Sequence, residues 1–258
     1  MIAKYAKAKV AKAANALGYK IERLSPQVTT PHYLQLDPRY AEIVKAVEPY
    51  TMTTYERIAA FVDASRYVTH ARIPGAIVEC GVWRGGSTMA AALALQQAND
   101  FRDLYLFDTY AGMSAPTEVD IDYAGIPAIN RYVESSADDH NTWCYASLED
   151  VRTNLASTGY PQDRCHLIKG DVLQTLPGQE PSEIAILRLD TDWYESTLHE
   201  LTYLYPKLSH RGVLIIDDYG HWQGCRKAVD EFFREQGPFL CRIDSTGLMG
   251  VKVDPRNM

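Results

Sequence analysis

The chain has few cysteines and no Cys-x-x-Cys pair. Cys80, Cys144, Cys165, Cys225 and Cys241 are an odd, widely spaced set in 258 residues. That pattern argues against a disulfide framework and against a zinc site. Reduced, mostly buried thiols in a cytoplasmic protein are the expectation. No apolar run reaches the length of a membrane span, so no integral membrane segment is expected. The N-terminus lacks the uninterrupted apolar stretch of a secretory signal. Positive charge is also short. Lys and Arg total 26 against 33 Asp and Glu, a net charge of −7. A nucleic-acid binder would more often show a basic field, so no nucleic-acid partner is expected. There is no GxGxxG, no internal repeat and no low-complexity segment.

What is present suits one large α/β domain. Hydrophobic residues make up 46% and charged residues 23%, ordinary values for a globular protein with a sizeable core. Residues 1–50 read as a helical and loop extension. Lys4, Lys7, Lys9, Lys12, Lys20 and Arg23 lie among alanines in a plausible basic helix, and an irregular loop with three prolines runs from Ser25 to Pro38. Residues 51–258 read as the main α/β domain. Thr53 and Glu56 have capping-box spacing before a helical stripe of Ile58, Phe61, Val62 and Val68. Strands are expected at 76–80, 104–107, 166–169, 184–189 and 213–216, with helices at about 87–98, 148–157, 194–207 and 225–236. Leu240 to Val253 reads as a hairpin around Ser245-Thr246-Gly247. Residues 109–145 have no clear period, and a loop of that length predicts a lid over substrate.

Two strands carry the strongest chemical signal. Ile184-Ala185-Ile186-Leu187-Arg188-Leu189 runs into Asp190-Thr191-Asp192, and Val213-Leu214-Ile215-Ile216 runs into Asp217-Asp218. Near-continuous apolar strands belong to buried parallel sheets, whose carboxyl ends bind ligands. The separation of 217 − 190 = 27 residues leaves room for one helix between two adjacent tips. Four converging carboxylates repel one another unless a cation sits between them, and Mg²⁺ is the simplest candidate. Taken singly, Asp217 and Asp218 could also cap a turn, and Asp192 could N-cap the next helix. Arg188, inside an apolar strand, predicts a structural ion pair.

A third motif names the co-substrate. Glu79-Cys80-Gly81 leads through Gly85-Gly86 to Ser87 and Thr88 at a helix start, where free N–H groups suit a carboxylate. Glu79 would sit badly beside a pyrophosphate but well beside an ammonium or sulfonium group. Asp108, at the second strand tip, suits ribose hydroxyls, and Asp171 is placed to reach an adenine amino group. A ligand with a carboxylate, a cation, a ribose and an adenine, but no phosphate, is S-adenosyl-L-methionine.

At these residues the sequence resembles the macrocin O-methyltransferase family. The matching stretches are Tyr50-Thr51-Met52-Thr53, Glu79-Cys80-Gly81 with Gly85-Gly86-Ser87, Phe107-Asp108-Thr109-Tyr110-Ala111-Gly112-Met113, Arg188 through Thr197, and Ile216-Asp217-Asp218-Tyr219. The resemblance implies a Rossmann-like seven-stranded sheet with helices on both faces. It also implies a Mg²⁺- and S-adenosylmethionine-dependent enzyme, usually a homodimer, methylating a sugar hydroxyl on a glycoside. By position, Asp190, Asp217 and Asp218 look like the family's metal ligands and Asp192 like its general base. Glu79, Ser87, Asp108 and Asp171 fall where the family binds the cofactor, with Gly81 and Gly112 in the same stretches, Thr88 next to Ser87 at the helix start, and Thr51 and Met52 folding over it. Thr191 departs from the glycine expected in many relatives. A catechol-type methyltransferase, a nucleotide-dependent oxidoreductase and a non-catalytic cofactor binder are the competing readings. His221 is left as an acceptor-pocket residue or second base, His140 as a lid residue facing acceptor, and His199 as solvated.

Overall fold

The computed structural model describes residues 38–235 and 237–253, so the basic segment 1–24 and nearly all of the proline-bearing loop lie outside the described residues. The order begins with α1 (Pro38–Val47) and α2 (Tyr55–His70), and continues through β1 (Ala76–Cys80), α3 (Gly86–Gln97), β2 (Leu104–Asp108), α4 (Ala128–Glu134) and α5 (Leu148–Ser157). Then come β3 (Cys165–Lys169), α6 (Val172–Thr175), β4 (Ile184–Leu189), α7 (Tyr194–Leu204), β5 (Leu208–Ile216), α8 (Gln223–Phe232) and the β6–β7 hairpin (Phe239–Arg242, Leu248–Val251). The seven strands form one sheet in the order β3-β2-β1-β4-β5-β7-β6. The first five are parallel, and β7 and β6 pair antiparallel at one edge.

Period-2 alternation sends each strand's side chains to two different cores. Val78, Leu187, Leu189, Leu214 and Ile216 pack towards α7 and α8. Ile77, Ile186, Val213 and Ile215 pack towards α2 and α3 with Phe61, Ala64, Val68 and Leu95. Ile43, Val44 and Val47 of α1 join Ile58 and Val62 in one apolar cluster, so no break in packing falls at residue 50. Among the described residues, no helix is long and apolar enough to cross a membrane.

Several boundaries moved for local reasons. The cap of α2 is Thr54, one residue later than the spacing suggested, and its side chain accepts from the Arg57 N–H at 3.3 Å. The strand β5 begins at Leu208 rather than 213, because Arg211 at φ 66° opens an irregularity in the β4 register that lets polar Ser209-His210-Arg211 extend the strand. The segment 109–145 contains one helix, α4, which the missing period concealed. Asp120, fully buried, anchors this segment. One of its oxygens accepts from the Thr117 N–H (2.7 Å) and hydroxyl (2.8 Å), and the other from the Tyr194 N–H (2.8 Å). The first turn of α7 is therefore capped by Asp120 of the 109–145 segment rather than by Asp192.

Candidate active site

β1 and β4 are neighbours whose following chains leave in different directions, and that divergence opens a crevice at their carboxyl ends. The two tips are tied together there. The Asp190 N–H donates to the Cys80 carbonyl at 2.8 Å. Gly81, at φ 81°, lies so close that a Cβ would stand 2.0 Å from the Asp190 carbonyl oxygen. Only glycine fits that approach. Gly81→Ala is expected to push β1 and β4 apart, lowering the melting temperature and abolishing cofactor binding. Thermal scans and calorimetric titration check it.

A cavity of about 330 Å³ opens at this point, the size of a small-molecule site. It is walled by Gly81, Ser87, Asp108 and Gly112, with Thr51 and Met52. A smaller adjoining cavity reaches Gly170 and Asp171. The first cavity is also lined by Asp190, Asp192, Asp217 and Asp218, with Arg131, Trp143, His221 and Trp222.

Two of the expected cofactor residues do not reach the wall. Glu79 is 1% exposed, receives the Thr88 hydroxyl and accepts from Arg188 Nη1 at 2.5 Å. Thr88 is itself fully buried in that pair. The structure thus places both under the crevice floor, because Glu79 shares the sheet face of Ile77 and is opposite Arg188 in register. Asp108 is at the wall, yet it also shapes the glycine loop. Its carboxylate accepts N–H groups from Val82 (2.7 Å), Trp83 (3.0 Å) and Tyr110 (2.7 Å). Asp171 caps α6 by accepting from the Leu173 N–H at 2.9 Å.

Arg188 is the hub beneath the acids. Besides Glu79 it donates to Asp190 Oδ2 (2.7 Å) and, through Nη2, to Asp217 Oδ1 (2.6 Å). The other oxygen of Asp217 is bound by Arg57 of α2, which also donates to Asp244 at 2.9 Å. Asp190, Asp192 and Asp218 each bring one carboxylate oxygen within 4.8 Å of the other two. Asp217 stands outside this trio, occupied by its two arginines. Six carboxylates, those of Glu79, Asp190, Asp192, Asp217, Asp218 and Asp244, thus share two guanidinium groups, which leaves net negative charge in a desolvated place. Burial raises Asp190 and Asp218 well above the ordinary carboxylate range, and their acidic neighbours add to it. Burial likewise pushes Asp192 up to about 7, with Asp190 and Asp217 adding to the rise. Asp218 Oδ2 is buried without any hydrogen-bond partner. An orphaned oxygen beside two further carboxylates is the donor set of a hard divalent cation.

A family model described as macrocin-O-methyltransferase (TylF) matches residues 19–250. The chain belongs to this family. Among curated relatives it is 37% identical, over 179 residues, to the 8-demethyl-8-(2,3-dimethoxy-alpha-L-rhamnosyl)-tetracenomycin-C 4'-O-methyltransferase of Streptomyces olivaceus. That match covers 68% of this chain and 65% of the relative, a little under two thirds of its length. It is 34% identical over 180 residues to the mycinamicin III 3''-O-methyltransferase of Micromonospora griseorubida, covering 68% of each chain. The solved O-methyltransferase NovP superposes with a TM-score of 0.70 at 30% identity, over 80% of this chain and 83% of that one.

Within this macrocin-O-methyltransferase framework, several site features were not visible in the sequence. Arg57, from a helix more than a hundred residues upstream of Asp217, had no motif to mark it. The indoles of Trp143, Trp193 and Trp222 meet edge-on or tilted, with ring centroids 5.0–6.0 Å apart, and join the 109–145 segment to the starts of α7 and α8. Arg131 of α4 lies 4.4 Å over the Trp143 ring. His221 lines the cavity, whereas His140 pairs with Asp139 and is not on its wall. His199 reaches the Leu176 carbonyl at 3.0 Å.

Asp244, in the β6–β7 turn, joins this network to the start of α2. It accepts from the Thr54 hydroxyl (2.6 Å), Arg57, and the N–H groups of Thr246 (2.9 Å) and Gly247 (2.8 Å). These bonds outweigh its partial burial and hold its carboxyl down at about 2. A depressed folded-state value stabilises the fold above the ordinary carboxylate range, and that contribution is lost as pH falls towards 2. Asp244→Asn is expected to lower the melting temperature at pH 7 by more than at pH 2. Thermal scans across that range decide it.

Proposed function

We propose that the protein transfers the methyl group of S-adenosyl-L-methionine to a sugar hydroxyl on a glycosylated metabolite or glycan. The observation that carries this reading is one cavity lined by both the glycine loop and four aspartates. The glycine loop suits the co-substrate. The N-terminus of α3 at Ser87 meets a carboxylate, Asp108 has oxygens for ribose hydroxyls, and Asp171 lies beside the adjoining cavity for the adenine. Thr51 and Met52 cover it, and Met52 is 62% exposed and so free to close down. The acceptor presents a hydroxyl to the aspartates, with Trp143 and Trp222 excluding water.

The aspartates fit Mg²⁺, for which Asp190, Asp217 and Asp218 are the proposed ligands. Asp190 and Asp218 already converge, while Asp217 must first release Arg57. Mg²⁺ bound there would lower the pKa of an acceptor hydroxyl. Asp192 is the proposed base: one oxygen points into the trio and takes the hydroxyl proton. Asp217→Asn tests the third ligand. Weakened Mg²⁺ binding supports that role, and unchanged binding assigns Asp217 to the arginine network alone. We also propose a homodimer, on the strength of the family, for which sedimentation is the measure.

The reaction itself is tested with radiolabelled S-adenosylmethionine and two acceptor panels, glycosides and catechols. Label transfer to a sugar hydroxyl is expected. Transfer to catechols alone would move the assignment to an aromatic acceptor.

A further inference from the structure

Glu200 of α7 is fully buried, yet no part of the chemistry above uses it. Its Oε1 accepts from the Thr191 hydroxyl at 2.9 Å, and its Oε2 is buried with no hydrogen-bond partner. A buried carboxyl in that state costs stability, so its presence calls for a return elsewhere. Thr191 is the residue between Asp190 and Asp192. Its carbonyl is held as well, accepting from the Trp193 N–H at 2.8 Å and from the Ser196 hydroxyl at 3.4 Å. Asp192 follows at φ 71°, a left-handed conformation that a non-glycine residue keeps only where its surroundings impose it.

We propose that Glu200 is a positioning residue, which grips Thr191 from beneath and so fixes the direction in which Asp190 and Asp192 present their carboxylates. This rests on the roles given to those two aspartates above. The other α7 side chain that reaches Thr191, Ser196, holds its carbonyl at 3.4 Å, so Glu200 is what holds its hydroxyl. The side-chain bond from Glu200 and the carbonyl bonds from Trp193 and Ser196 leave the tip one way to lie. Burial pushes the Glu200 carboxyl up to about 8. A glutamine keeps an acceptor oxygen for the Thr191 hydroxyl at the same place.

Three variants test this: Thr191→Val, which removes the hydroxyl at constant size, Glu200→Leu, which removes the acceptor, and Glu200→Gln, which keeps it. Thr191→Val and Glu200→Leu are each expected to lower kcat by roughly 10- to 100-fold, the effect of a displaced catalytic group. KM and S-adenosylmethionine affinity should stay near wild type. The double variant should be no worse than either single one, since both break the same bond. Glu200→Gln should retain wild-type kcat. Full kcat in Thr191→Val, or a Glu200→Gln variant as impaired as Glu200→Leu, overturns the proposal. Should Glu200→Leu fail to fold, the crystal structure of Thr191→Val decides, because an unmoved 190–192 tip overturns it too. The functional reading fails differently, by absence of methyl transfer in the wild-type protein, and that structure still reads the pin.

Discussion

Asp192→Asn is expected to reduce kcat by ~10²–10⁴-fold, the usual contribution of a general base, while S-adenosylmethionine binds with unchanged affinity. The asparagine keeps the size and the left-handed backbone that Asp192 adopts at φ 71°, since Asn tolerates that region better than most residues. What it loses is the ability to accept a proton. The carboxylate lies 4.8 Å or less from its neighbours in the trio, so it contributes charge there as well. The two roles separate by pH. Burial, with Asp190 and Asp217 adding to it, sets Asp192 at about 7. A base works only when ionised, so wild-type kcat should fall as pH drops through that value, or through a lower one when a bound cation stabilises the anion. The variant should have no such limb. Rate profiles from pH 5 to 9 with isothermal titration of the co-substrate make the measurement. A variant with wild-type turnover would remove Asp192 from the chemistry.

The second large effect is expected from removing the divalent ion. Chelation should abolish turnover and Mg²⁺ should restore it, and Asp218→Asn should respond to neither. Asp218 is the sharpest probe because its Oδ2 is buried with no partner. The same acids make a stability prediction. Folded-state values raised by burial mean that the ion-free fold holds protons the unfolded chain would release. Their stabilising contribution is therefore present below the ordinary carboxylate range and is lost as pH rises, through about 7 in the case of Asp192. Ion-free protein should melt at a lower temperature at pH 8 than at pH 6. Mg²⁺ should reverse the loss, by about 2.7 kcal/mol at a hundredfold excess over its dissociation constant. Equal melting curves with and without Mg²⁺ at pH 8, together with full activity after chelation, would take the ion out of the account.

Much of this molecule follows from patterns short enough to read along the chain. The central strands β1 and β4 and the second half of β5 showed as apolar runs because they are covered on both faces. The aspartates and glycines at their ends were legible because parallel strands bring every carboxyl terminus to one edge. The Ser245-Thr246-Gly247 turn was legible because turn residues act locally. The sequence also carried the family, through motifs spread from Tyr50 to Tyr219.

Other features depend on side chains that meet only after folding. Glu79 looked like a ligand contact because of its place in the motif, but register with Arg188 turns it into the floor of the crevice. Asp217 looked equivalent to Asp218, and both line the cavity just past the end of β5. Asp217 is held by two arginines, whereas Asp218 joins the trio with Asp190 and Asp192. Arg57, Asp120 and Glu200 sit in stretches with no motif, and each acquires its role from a partner far away in sequence or in another element. Sequence determines which groups stand at the sheet's edge, since strand polarity is a local property. Which of them stay free for chemistry is decided by tertiary packing, since that depends on where the counter-charges land.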